Sequence, residues 1–125
     1  MILCEARVQR KFRLTRSEDF KRVRRNGRTF AHPLAVLVAQ PGESLHVRVG
    51  VTAGKSSGSA VRRNREKRIL REAIRPLLPS MASHWDVILI ARPPLGSASL
   101  EQVRQAILNL LQRADLIAID ESRIP

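Results

Sequence analysis

Aromatic side chains are scarce: Phe12, Phe20, Phe30 and Trp85 are the only ones in 125 residues, and there is no tyrosine. A surface that works by stacking base after base on aromatic rings is therefore not expected. The single cysteine, Cys4, can close no internal disulfide and has no second thiol with which to form a metal-ligand pair. It reads as a reduced thiol near a chain end. The longest apolar runs, Leu34 to Ala39 and Val87 to Ala91, have the length of strands, against the roughly 20 residues a membrane span needs. The first residues, Met-Ile-Leu-Cys-Glu, lack the charged start and long apolar stretch of a secretory signal. Cytoplasm is the expected compartment, without membrane insertion. Acidic residues are few as well, 11 against 23 lysines and arginines, for a net charge of +12 and a pI near 11.7. So large a surplus costs self-repulsion in the folded state and suits a chain whose usual neighbour is a polyanion, either nucleic acid or an anionic membrane surface.

Catalytic groupings are missing too. Gly54-Lys55-Ser56 invites comparison with a phosphate-binding loop, but that pattern requires glycine five residues before Gly54, where Val49 stands. His32, His46 and His84 are scattered, without the spacing of a zinc site. The acidic pairs Glu18-Asp19 and Asp120-Glu121 are sequence neighbours, which point in different directions on a helix or strand. No Gly-x-Ser-x-Gly nucleophile motif occurs. On its residues alone the chain binds something and does not itself perform chemistry.

The length fits a single domain, residues 1–125, with a modest core. Residues 1–14 carry Arg7, Arg10, Lys11 and Arg13 without a clear period and read as a basic arm. Thr15-Arg16-Ser17-Glu18 has the form of a capping box before a helix over Arg16 to Arg25, and Asn26-Gly27 should stop it, with Gly27 in a left-handed cap. Leu34 to Ala39 and Leu45 to Ala53 read as strands joined into an antiparallel hairpin by Gln40-Pro41-Gly42-Glu43. Along the second strand Val47, Val49 and Val51 should face the core. The connector Gly54 to Ser59 leads to a second helix, with Ser59 as its cap and Pro76 stopping or kinking it near Arg75. Val87 to Ala91 is apolar throughout, as a central strand should be. Ser99 and Gln102 form a capping box before a helix over Leu100 to Arg113, whose stripe of Val103, Ala106, Ile107, Leu110 and Leu111 faces the core. Residues 115–125 are expected to fray. This order predicts a two-layer α/β (α+β) sandwich, a small and mostly antiparallel sheet of about four strands packed with three helices.

The most informative segment is Arg62-Arg63-Asn64-Arg65-Glu66-Lys67-Arg68-Ile69-Leu70-Arg71-Glu72. At 100° per residue, Asn64, Lys67, Arg68, Arg71 and Arg75 share about one quadrant, with Arg65 and Glu72 at its margin. Ile69, Leu70, Ala73, Ile74 and Leu77 fall on the other side. Such a helix docks one face on a core and presents cations and an amide outward.

The stretch VGVTAGKSSGSAVRRNREKRILRE, Val49 to Glu72, resembles the signature of the bacterial ribonuclease P protein component: a strand, a lysine-bearing loop, then Ala-Val-x-Arg-Asn-Arg-x-Lys-Arg-x-x-Arg. Phe12-Arg13-Leu14 and Glu18-Asp19-Phe20 with Gly27 are similar to that family's opening, and Asp86 to Arg92 to its apolar strand ending in Ala-Arg. The resemblance implies a subunit of the endonuclease that removes the 5′ leader from precursor tRNA, with the phosphodiester cut by a magnesium-using RNA subunit. No cofactor would be bound by the protein alone, and its partners would be that catalytic RNA and the leader, the protein being monomeric apart from RNA. It implies an α/β sandwich with a left-handed β-α-β crossover. Carried over by position, Lys55, Arg63, Asn64, Arg65, Lys67, Arg68 and Arg71 would contact RNA. A leader cleft between the first helix and the sheet would involve Phe12 and Phe20, with Arg24 and Val38 at two positions where aromatics are usual. Phe20 reads equally well as a core residue. The alternative to a role in cleavage is a structural RNA-binding protein of the ribosomal type. A small DNA-binding module is a third reading, without a recognisable motif behind it.

Overall fold

An apolar run without alternation must be covered on both faces and paired on both edges, and Val87, Ile88 and Leu89, all 0% exposed, meet that demand at the centre of a four-stranded sheet. The structure is a computed structural model that describes residues 12–42, 45–54 and 59–117. Cys4 and the rest of the arm up to residue 11, Lys55 with its neighbours to residue 58, and residues 118–125 of the segment expected to fray lie outside the described residues.

The elements run α1 (Ser17–Asn26), β1 (Arg28–Ala31), β2 (Ala35–Pro41), β3 (Arg48–Ala53), α2 (Ala60–Ile74), a 3-10 turn (Arg75–Ser80), β4 (Trp85–Ala91), a second 3-10 turn (Pro93–Ser97) and α3 (Leu100–Arg113). The sheet order is β1-β2-β4-β3. β1 and β2 are antiparallel, β2 and β4 antiparallel, and β3 and β4 parallel, so a mixed sheet with three helices carries the expected fold class. β4 is central and α3 spans Leu100–Arg113, as read from the sequence. Its capping box is present, with Gln102 N–H donating to Ser99 Oγ at 3.1 Å and Ser99 N–H donating to Gln102 Oε1 at 2.9 Å. Pro76 ends α2 at Ile74 by switching the chain into a 3-10 turn.

Three local expectations are corrected. The second and third strands do not form a hairpin, because β4 lies between them. Gly42 N–H donates to His84 O at 2.7 Å, so the residue after β2 continues the pairing toward β4. Turn chemistry at Pro41-Gly42 is local, whereas satisfying both backbone edges of the buried β4 is a demand of the whole sheet. The hairpin that does form joins β2 to the short β1, closed by His32 N–H to Ala35 O at 2.9 Å and Ala35 N–H to His32 O at 3.2 Å. The Thr15 capping box is absent: α1 is capped at Arg16 with no side-chain hydrogen bond. Gly27 has φ −79°, outside the left-handed region. It is glycine for space, since a Cβ there would lie 2.8 Å from Val38 Cγ1 and overlap Val23 O.

Because strand side chains alternate, the register defines two faces. Leu37, Val49, Val87 and Leu89 point toward α2 and α3 and build the larger core with Leu70, Ile74, Ile107 and Leu110. The opposite face consists of three cross-strand rows, Gln40–Asp86–Arg48, Val38–Ile88–Gly50 and Val36–Ile90–Thr52. α1 lies on this face over a small cluster of Leu14, Val23, Val38 and Ile88.

Candidate nucleic-acid interface

α2 begins where Ser59 Oγ accepts from Arg62 N–H at 3.3 Å, as expected for its cap. Leu70, Ala73 and Ile74 are buried, and this seating turns Asn64, Arg65, Arg68 and Arg75 outward, where they are exposed. Arg63, Lys67 and Arg71, spaced i, i+4 and i+8, are half-buried along one flank. The cationic band is therefore wider than the quadrant drawn from periodicity. Glu66, which that reading did not place inside, is 0% exposed within the buried stripe, and a Cβ on Gly96 would lie 3.3 Å from its Oε2.

Arg71 links this helix to the α1 face. It lines a hollow of about 250 Å³ together with Arg13, Thr15, Phe20, Gly50 and Val51. Arg13 is held there because residues 13–14 run along β3, with Leu14 N–H donating to Val49 O at 2.9 Å. The Arg71 pKa is lowered, first by burial and second by the charge of Arg13. Two cations converging in partly desolvated surroundings create a strong local potential for an anion.

Phe20 stands at the margin of the core. Its inner side packs against the small cluster and over Gly50, and its outer side lines the hollow. A Cβ at position 50 would overlap the ring. Gly50→Ala is accordingly expected to destabilise the protein by about 2 kcal/mol, in the range of core overpacking, and to push Phe20 outward. Thermal melting together with amide chemical shifts around α1 checks this, and an unchanged melt would mean that the ring has room to move.

The other cleft positions separate. Val38 is 4% exposed beneath α1, so it belongs to the core and offers no surface to a ligand. Phe12 packs with the larger cluster and meets His46 edge-on at 5.4 Å between ring centroids, away from the cluster that holds Phe20. Arg24 is exposed one helical turn beyond Phe20, on the same flank of α1. The part of the sheet left half-covered is the row Val36–Ile90–Thr52, one row along from Val38. Alternation alone selects the right face of the strand, but only the placement of α1 decides which row stays open.

On the far flank of α1 lies an ion cluster that the sequence reading did not find. Asp86 is 0% exposed. It accepts from Arg48 Nε and Nη2, both at 2.9 Å, and from Arg22 Nη2 at 2.5 Å. Arg22 also donates to Gln40 Oε1 at 2.5 Å and to Asp19 Oδ1 at 3.2 Å. Burial by itself would raise the Asp86 pKa, but the two arginines outweigh it and the net shift is downward. Arg22 and Arg48 are raised chiefly by their hydrogen bonds to Asp86. One signal was available: an aspartate at the head of an apolar central strand needs a cationic partner.

Among the described residues, no group of three or more His, Cys, Asp or Glu could hold a metal ion, and no helix is long and apolar enough to cross a membrane. Cations distributed along one helix and converging beside an aromatic ring define a nucleic-acid-binding α/β domain. A sequence model of the ribonuclease P family matches residues 8–115. The ribonuclease P protein component of Herpetosiphon aurantiacus is 47% identical over 109 residues, covering 87% of this chain and 89% of its own, and that of Chloroflexus aggregans is 39% identical, covering 92% and 86%. Among solved structures, the RNase P protein of Staphylococcus aureus superposes with a TM-score of 0.75 at 27% identity, covering 86% of this chain and 98% of that one. The Thermotoga maritima protein gives 0.72 at 28%, covering 81% and 96%. The chain belongs to the bacterial ribonuclease P protein family and is a subunit that assists an RNA in tRNA 5′ processing, part of the endonuclease that matures tRNA.

Proposed function

We propose that the α2 residues Arg63, Asn64, Arg65, Lys67, Arg68 and Arg71, with Lys55, dock on the catalytic RNA, while Phe20, Arg24 and the open row Val36–Ile90–Thr52 receive the 5′ leader of precursor tRNA. The observation that carries this reading is the position of Arg71, which is part of the basic helix and also lines the hollow beside Phe20. Arg71 thus supports a single cationic surface serving both RNAs. With few aromatics, leader holding rests mainly on backbone charge and one ring, which favours little sequence preference. In this reading magnesium acts on the RNA subunit, and the protein works in the cytoplasm as a monomer apart from RNA.

Adding the purified protein to a bacterial ribonuclease P RNA at low magnesium should restore removal of a precursor-tRNA leader. Absence of rescue, with tight binding to ribosomal RNA instead, would support the structural RNA-binding alternative. Phe20→Ala should weaken holoenzyme binding of precursor by about fivefold to tenfold, within the range for loss of one base–aromatic stack, and leave mature tRNA nearly unaffected. Equal loss for both would assign Phe20 to the core alone.

A further inference from the structure

α1 has a single fully buried residue of its own, Val23, so the apolar contact beneath it resembles a pivot more than a broad seat. Steps of 100° place Phe20 and Arg24 on one flank of that pivot and Asp19 and Arg22 on the other. On the front flank Phe20 packs on the same small cluster as Val36 and Ile90 of the open row. The back flank is tied to the row Gln40–Asp86–Arg48 by the contacts of Arg22 with Asp86 and Gln40, and by Asp19 lying 3.8 Å from Arg48 Nη1. Asp86 is fully buried on the central strand and receives Arg48 through two parallel bonds, so it is a fixed anchor. Two aspartates and two arginines also balance in charge, which leaves this flank with little attraction for RNA in an otherwise strongly basic chain.

We infer that this ionic clasp sets the roll of α1 about Val23 and thereby the width of the groove on the opposite flank, making Asp86 and Arg22 positioning residues for the leader. The inference rests on the leader reading above and adds to it the element that fixes the groove's geometry. Restraint behind a pivot matters because interactions in front of it weaken steeply with small displacements. Neither residue needs to touch RNA.

The test uses Arg22→Ala and Arg22→Lys. Arg22 is partly exposed, with 36% of its side-chain surface accessible, so its removal should leave the fold standing. In the free protein, Arg22→Ala should speed amide exchange in α1 relative to α2, and Arg22→Lys should recover part of the protection, since an ammonium reaches Asp86 without reproducing the fork. In the holoenzyme, Arg22→Ala should reduce the preference for precursor over mature tRNA by about fivefold, the size of an interaction weakened rather than removed, with affinity for the RNA subunit unchanged. Unaltered α1 exchange in the alanine variant would overturn the clasp, whatever the RNA assays show. So would an unaltered precursor preference, or an equal loss for precursor and mature tRNA. The leader reading fails on a separate observation: a wild-type holoenzyme whose precursor preference is no greater than that of the RNA alone.

Discussion

Asp86→Asn is expected to lower the melting temperature by about 10 °C at neutral pH. Breaking a buried ion pair by neutralising one partner costs about 3 kcal/mol, because the remaining charge loses its compensation, and each kcal/mol moves the midpoint of a domain this size by about 3–4 °C. Asparagine keeps the shape of the side chain but turns an amide N–H₂ toward guanidinium donors that Asp86 meets on both oxygens. The pH dependence gives a second signature. Folding lowers the Asp86 pKa, so as pH falls the unfolded chain takes up this proton before the folded one does. The stabilisation is complete above the unfolded aspartate value of about 3.9 and is lost as pH drops through the folded value. The gap between wild type and variant should therefore stay constant from about pH 6 to 8 and narrow below about pH 4. Melting curves of both proteins across that range check it, and a gap of less than about 2 °C at neutral pH, well under the shift expected for a lost buried pair, would show that Arg22 and Arg48 find water as readily as they find Asp86.

Elements governed by local rules were legible from sequence. α3 has a period, a capping box and a last turn that agree with one another, and its bounds match. Pro76 acts through its own missing N–H, so its effect on α2 needs no tertiary knowledge. β4 announces its centrality because Val87-Ile88-Leu89 runs without alternation, which calls for cover on both faces. What escaped were decisions made by the whole sheet. The insertion of β4 between β2 and β3 competes with a good local turn at Pro41-Gly42, and β1 is only four residues long and mostly exposed, too little for any pattern to stand out. The site divides in the same way. Of the α2 positions proposed to meet RNA, Asn64, Lys67, Arg68 and Arg71 share a face by helical spacing, whereas Arg63 and Arg65 come from the family resemblance, and the structure keeps all six at least partly accessible. The leader positions were transferred one by one, and two of four moved: Val38 under α1, Phe12 to another cluster. Glu66 has a charge that gives no hint of burial, although its helical position falls on the same stripe as Leu70, Ala73 and Ile74.

The triple substitution Lys67→Ala, Arg68→Ala and Arg71→Ala should reduce affinity for the catalytic RNA by about 100-fold at moderate salt, taking roughly 1 kcal/mol for each charged hydrogen bond to phosphate that is removed. It should also flatten the slope of log affinity against log salt by about 2 to 3, since each neutralised phosphate releases roughly 0.7 to 0.9 of a counterion. None of the three lies in the core, and alanine is the best helix former, so the melt should stay near that of wild type. Arg71→Ala should even raise it slightly, because burial and Arg13 disfavour the charge that this substitution removes. The single variants then separate the two RNA surfaces. Arg68 is exposed on the outer side of α2 and Lys67 is half-buried one turn before Arg71, and neither lines the hollow beside Phe20. Lys67→Ala and Arg68→Ala should each weaken RNA-subunit binding and leave the preference for precursor over mature tRNA intact, whereas Arg71→Ala should reduce both. Salt titrations of RNA binding and paired precursor and mature affinities measure this directly. An unchanged salt slope in the triple variant would mean that this face is merely solvated, and identical profiles for Arg68→Ala and Arg71→Ala would break the link between helix and groove.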